Sequence, residues 1–159
     1  MASGKSHVGS EVAQRLGRDF VDNDGMLEAR EGRSAREIEA ADGQDALHKC
    51  EAECLVEALA RPEPAVIAAA AGAVLVSGVA DALAAHDVVY LRVPPEVLAS
   101  RVPRDVHTSH RPFEGAPLHV FQEQFRMRDE PYRRLAIVVD GNEPLDVVID
   151  EVMQVVARS

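Results

Sequence analysis

Short apolar runs alternate with helix-patterned stretches along the whole chain, and that alternation restricts the fold more than any other feature. Asp19-Phe20-Val21-Asp22, Ala65-Val66-Ile67-Ala68-Ala69, Val88-Val89-Tyr90-Leu91 and Ile137-Val138-Val139 read as strands, being short, rich in β-branched residues and bounded by breakers. Strands that alternate with helices need crossover connections, which gives parallel pairing and helices on both faces. The expected class is α/β, a three-layer fold around a parallel sheet. With 159 residues the chain suits one domain, 1–159, that can bury a sizeable core. Aromatic content is 4% and there is no Trp, so that core must come from Ala, Val and Leu.

The helices are legible from period and caps. Val8, Val12 and Leu16 form a stripe ended by Gly17. Met26 to Arg33 follows the first strand, and Ser34-Ala35-Arg36-Glu37 is a capping box for a helix through Ala41. Gln44 to Ala60 is a longer helix. Ser77 is a candidate cap for a helix through Ala85, and Pro94-Pro95 starts one reaching Val102. No period survives over 103–117, a length that suggests a lid. Leu118 to Arg134 is helical, and Leu145, Val148, Ile149, Val152 and Val155 mark a C-terminal helix.

The chemistry-bearing stretch is at the beginning. Gly4-Lys5-Ser6 is the distal half of the phosphate-loop pattern G-x-x-x-x-G-K-[ST], in which backbone amides cradle phosphate, the Lys reaches the terminal phosphates and the hydroxyl ligates Mg²⁺. A helix follows directly, so phosphate would sit on unpaired amides at the positive end of a helix. Ser3 and His7 flank the tripeptide and are candidates for the same site. The pattern's first Gly would lie two places before Met1, and no apolar strand precedes the loop. The expectation is that the first strand of the sheet is missing from this chain and that Met1 is internal to the natural reading frame. Asp22 and Asp24 end the first strand, where an open α/β sheet binds its ligands.

Charge and cysteines narrow the partners. A formal net charge of −10 excludes general nucleic-acid and anionic-membrane binding. Between Arg101 and Arg134, however, seven Arg face five acids, a basic segment suited to a small anionic ligand. Cys50 and Cys54 share a helix face with Leu47, Leu55 and Ala58 and read as reduced core thiols rather than a metal pair. No leader is evident, and the run from Ala65 to Val76 is too short to span a bilayer. A cytoplasmic monomer is expected.

Taken in order, these landmarks resemble the shikimate kinase family over nearly the whole chain. They are Ala2-Ser3-Gly4-Lys5-Ser6 with Val8-Gly9, Phe20-Val21-Asp22-Asn23-Asp24, Glu31-Gly32-Arg33-Ser34, Asp42-Gly43, Glu51, Gly72-Ala73-Val74, Val88-Val89-Tyr90-Leu91, Arg111-Pro112 and Tyr132-Arg133. The resemblance implies a phosphate-loop kinase core with strand order 2-3-1-4-5, substrate-binding helices about 24–60 and a lid about 103–117. It implies ATP and Mg²⁺ as cofactors and phosphoryl transfer to a hydroxyl of shikimate or a similar small anionic polyhydroxy acid. Lys5 would neutralise the β- and γ-phosphates, and Ser6 and Asp22 would hold Mg²⁺. Asp24 would orient or deprotonate the attacking hydroxyl, and Arg111 would close onto the transferring phosphate. Arg101 would stack on adenine. Gly72 lies in the acceptor site by the same resemblance, and Arg133 would pair with the acceptor carboxylate.

The chain departs from the family in two substrate-side places. His48 stands where the family has a carboxylate-binding Arg, and Ala70-Ala71-Gly72 replaces a Gly-Gly-Gly turn. An imidazole cannot make the guanidinium fork contact, so an altered acceptor is expected. Two other readings compete: a degenerate, non-catalytic relative that binds nucleotide or a protein partner, and a nucleoside monophosphate or gluconate kinase. The Asp22-Asn23-Asp24 and Gly32-Arg33-Ser34 signatures weigh against the latter.

Overall fold

The computed structural model describes residues 3–101 and 118–158. Local signals set most of its elements. Helix α1 (Lys5–Leu16) begins after Gly4 at φ 86° and ends at Gly17 at φ 62°. Strand β1 (Asp19–Asp22) runs straight into α2 (Asn23–Glu31). This helix starts three residues earlier than its periodicity suggests, because the Asp22 carboxylate accepts a hydrogen bond from the Asp24 amide and caps it. The expected capping box opens α3 (Ala35–Asp42): the Ser34 hydroxyl accepts from the Glu37 amide, and the Ser34 amide donates to the Glu37 carboxylate at 2.8 Å.

Helix α4 (Gln44–Leu59), strand β2 (Ala65–Ala68) and a 3₁₀ turn (Ala73–Leu75) come next. Helix α5 (Val79–Leu83) is short and opens at Gly78 rather than at Ser77, with no side-chain cap. Strand β3 (Val89–Arg92) leads to α6 (Pro95–Arg101), and α7 (Leu118–Leu135), β4 (Ile137–Asp140) and α8 (Leu145–Val156) are the last described elements. The expected lid, with Arg111, lies outside the described residues.

Among the described residues the four strands form two parallel pairs, β1 with β2 and β3 with β4. Phe20 faces Val66 in the first register, and Tyr90 faces Val138 in the second. Parallel pairing with helices between the strands is what the expected α/β class requires. Helix α1 links the two pairs. Gly9 lets the Phe20 ring come so close that a β-carbon there would lie 2.8 Å from ring carbon Cε2. On the other side Val8 and Val12 pack with Val139 of β4 and with Val148, Ile149 and Val152 of α8.

A second cluster joins Ala52 and Leu55 of α4 to Ala73, Val79 and Leu83 on the opposite face. The third, Leu27, Ile38, Leu47 and Cys54, holds α2, α3 and α4 together as a helical lobe beside the sheet. Cys54 is fully buried there and Cys50 half-buried, both as free thiols. Among the described residues no group of three or more His, Cys, Asp or Glu is disposed to hold a metal ion, and no helix is long and apolar enough to cross a membrane.

Candidate active site

The site assembles where α1 begins, at the carboxyl end of β1. Gly4 takes a left-handed conformation that side chains resist, and this turns the chain into the helix with no side-chain cap on the first-turn amides. Those amides, the helix dipole and the Lys5 ammonium favour an anion at this end. Lys5 Nζ lies 3.9 Å from Asp22 Oδ1 and 3.6 Å from Asp24 Oδ2. Ser6 is half-buried in the first turn, His7 is exposed, and Ser3 is half-buried just before Gly4. The structure therefore brings together Ser3, Gly4, Lys5, Ser6, Asp22 and Asp24, all named by the sequence.

Behind the acids lies a polar pocket whose members the sequence identified only in part. Asn23 is fully buried between β1 and α2, and its side-chain amide donates to the Glu51 backbone carbonyl at 3.2 Å. This bond ties the acid-bearing turn to α4. Glu51 itself is 8% exposed, and its Oε2 has no hydrogen-bond partner among the described atoms. Burial, reinforced by the Asp24 charge, pushes the Glu51 carboxyl up to about 7, while Arg128 and Lys5 oppose the rise. One turn away, burial and then the Arg128 charge lower the His48 imidazole below its ordinary value, so it is neutral near pH 7.

Gly72 closes the pocket from the other side. A β-carbon there would lie 2.5 Å from His48 Nε2 and 2.8 Å from Glu51 Oε2. Close approach, not backbone angle, requires glycine at this point, since its φ is −80°. Ala71 beside it offers its carbonyl to the Tyr132 hydroxyl at 3.2 Å.

Helix α7 brings to this pocket an arginine that the sequence analysis did not name. Arg128 is half-buried, its Nε is enclosed with no hydrogen-bond partner among the described atoms, and it acts electrostatically on Glu51, His48 and Glu39. Its rotation is fixed by neighbours. Asp129 accepts from Arg92 Nε at 2.8 Å and from the Tyr90 hydroxyl at 3.3 Å. Tyr132 stacks on Tyr90 with ring centroids 4.9 Å apart. Burial holds both tyrosine hydroxyls well above their ordinary pKa.

Arg133, the sequence's choice for this helix, is exposed. A signal for Arg128 was present: Phe121, Phe125, Arg128 and Tyr132 repeat at four, three and four residues. They lie on one helix face, whereas Arg133 is five residues on from Arg128 and falls outside it. Arg101, the expected adenine contact, is exposed at the end of α6 and donates to the Gly141 carbonyl at 3.2 Å. Arg111 is outside the described residues.

Comparison with known proteins decides the family. A family model described as shikimate kinase matches residues 1–157. The chain belongs to the shikimate kinase family.

The relatives agree on this. Shikimate kinase of Thermobifida fusca (strain YX) is 37% identical over 134 residues, which cover 84% of this chain and 76% of that protein. Shikimate kinase 2 of Dickeya chrysanthemi is 35% identical over 155 residues, covering 95% and 88% respectively. Among solved structures, a shikimate kinase from Acinetobacter baumannii in complex with shikimate superposes with a TM-score of 0.87 at 25% identity, covering 100% of this chain and 90% of that one. The shikimate kinase of Aquifex aeolicus vf5 gives a TM-score of 0.81 at 27% identity. As a shikimate kinase family member the chain is an ATP-dependent phosphotransferase acting on a hydroxyl of shikimate or a similar small polyhydroxy acid.

Proposed function

We propose that the acceptor is a small hydroxylated carboxylic acid of the shikimate type, held between α4 and α7 with its reacting hydroxyl beside Asp24. The observation that carries this reading is the placement of Arg128. It is a half-enclosed cation with an unpartnered Nε, set against a neutral His48 and a Glu51 that titrates near neutrality. A half-buried guanidinium whose Nε has no hydrogen-bond partner among the described atoms suits an incoming carboxylate, which its planar fork binds in two bonds. Gly72 leaves room for the ring of the acid.

On the nucleotide side Lys5 neutralises charge building on the transferring phosphoryl group while the first-turn amides of α1 hold the phosphates. Asp24 accepts a hydrogen bond from the attacking hydroxyl and orients it toward that group. Arg101 contacts the adenine end. The residues also fit Mg²⁺: the Ser6 hydroxyl and the Asp22 carboxylate are hard oxygen donors at the phosphate end. When bound, the ion supplies positive charge to the phosphate oxygens.

Arg128 and His48 act together in this reading, where the family resemblance leads one to expect two arginines. The test is a coupled ATP-turnover assay with shikimate and a panel of hydroxylated acids lacking either the carboxylate or one hydroxyl. Turnover is expected only with compounds carrying both groups, and His48→Arg is expected to lower the KM for shikimate. ATP consumption indifferent to every acid would sink the proposal.

A further inference from the structure

Strand β4 pairs with β3 alone among the described residues, and the ladder fixes which of its backbone groups that pairing uses. The Ile137 amide donates to the Val88 carbonyl and the Gly141 amide to the Arg92 carbonyl, each at 2.9 Å. Odd-numbered positions of β4 therefore face β3. The two-residue alternation of a strand turns the amide and carbonyl of Val138 and the amide of Asp140 the other way. The side chains on this edge are open as well, with Ile137 50% and Val138 42% exposed. Tyr90, the register neighbour of Val138, is covered by its stack on Tyr132 of α7, whereas Val138 stays accessible. An edge with free backbone groups and apolar side chains is a template for another strand.

Charge at the two ends says what that strand is. Arg133 and Arg134 precede β4, Asp140 ends it and Glu143 follows, all four exposed. An edge with a basic and an acidic end is complementary to itself when a second copy lies antiparallel, because basic then meets acidic at both ends. Parallel pairing would set Arg against Arg. The formal charge of −10 on each copy opposes encounter at long range. That repulsion is screened beyond about 8 Å at physiological salt, whereas charges set end to end act at contact.

We propose that β4 is a dimer edge, along which two copies of this chain pair antiparallel about a two-fold axis at Val138. The two Val138 residues exchange both N–H···O bonds, and the Asp140 amide of each copy donates to the Ala136 carbonyl of the other. The two Val138 side chains meet on one face of the joined sheet, and Ile137 lies opposite the second copy's Val139 on the other. The contact is isologous, the same patch on both subunits, and it leaves the β3–β4 ladder intact because it uses only groups turned away from β3. A four-residue strand spans about 13 Å, which puts the contact at the small end of specific interfaces, under about 1,200 Å². The dimer is accordingly weak and forms as concentration rises, where the sequence alone led to the expectation of a monomer.

The experiment is sedimentation velocity on the full chain from about 10 μM to about 500 μM, the range in which a small interface saturates. The average mass is expected to climb from one chain towards two. Val138→Lys sets two ammonium groups face to face on the axis and should hold the mass at one chain throughout, with the circular dichroism spectrum unchanged. A second pair of variants keeps the test independent of that folding. Arg133→Glu with Arg134→Glu makes both ends acidic, and Glu143→Lys adds a cation to the acidic end. Each should weaken self-association at least tenfold, and an equimolar mixture of the two should restore a mixed dimer, because opposite charges then meet at both ends. A mass of one chain at every concentration would overturn the proposal. So would a dimer that survives Val138→Lys in folded form, or charge variants that stay apart when mixed.

Discussion

Replacing Arg128 by Ala separates the structural reading of α7 from the sequence reading. The guanidinium is half-enclosed beside Glu51 and His48, with Nε unpartnered, so it can give its hydrogen bonds to a bound carboxylate. A hydrogen bond to a charged group contributes about 1.5–3 kcal/mol. With 1.36 kcal/mol per tenfold in rate, losing it lowers kcat/KM for the acid by roughly 10- to 150-fold. The KM for ATP should stay within about threefold, since the phosphate end is built by α1. Arg133→Ala, an exposed position, should change kcat/KM by less than about threefold, in line with the small effects of most surface substitutions. Steady-state kinetics with the acid and ATP varied separately reads all three numbers. A larger loss from Arg133→Ala than from Arg128→Ala, or an Arg128→Ala effect confined to ATP, would refute the placement.

Three further outcomes follow from the same geometry. Lys5→Met should lower kcat by about 10²–10³-fold, the usual loss for one positioned donor to developing charge, with the folded state retained by circular dichroism. Glu51 has a folded pKa of about 7 against an ordinary 4.5, so the native state binds the extra proton. Its contribution is fully present below about pH 4.5 and is lost as pH rises through 7, by up to about 3 kcal/mol at 1.36 kcal/mol per unit. Urea melts at pH 5 and pH 8 should show this loss in the natural chain and not in Glu51→Gln. Gly72→Ala puts a methyl 2.8 Å from Glu51 Oε2 and should cost about 1–3 kcal/mol by overpacking, while raising the KM for the acid; an unchanged melting temperature and KM would show that the pocket is looser than drawn.

Much of this protein was legible in its sequence because the signals are local. The Ser34–Glu37 box, the Gly17 stop and the β-branched strand runs act over one to four residues, so they survive without knowledge of the fold. Gly4-Lys5-Ser6 and the Asp22-Asn23-Asp24 turn were legible for the same reason, since each site is made by adjacent residues. Where local signals competed, the structure chose: Gly78 rather than Ser77 opens α5, and the Asp22 cap starts α2 early.

What the sequence by itself determined is the order of elements, the glycine turn that opens α1 and the family pattern those carry. Only tertiary packing decided which arginine of α7 faces inward, because a helix exposes its full circumference until Tyr90, Arg92 and Ala71 fix its rotation through Asp129 and Tyr132. Packing likewise raised Glu51 into the neutral range, since a carboxyl shifts only when its surroundings remove water and set Asp24 nearby.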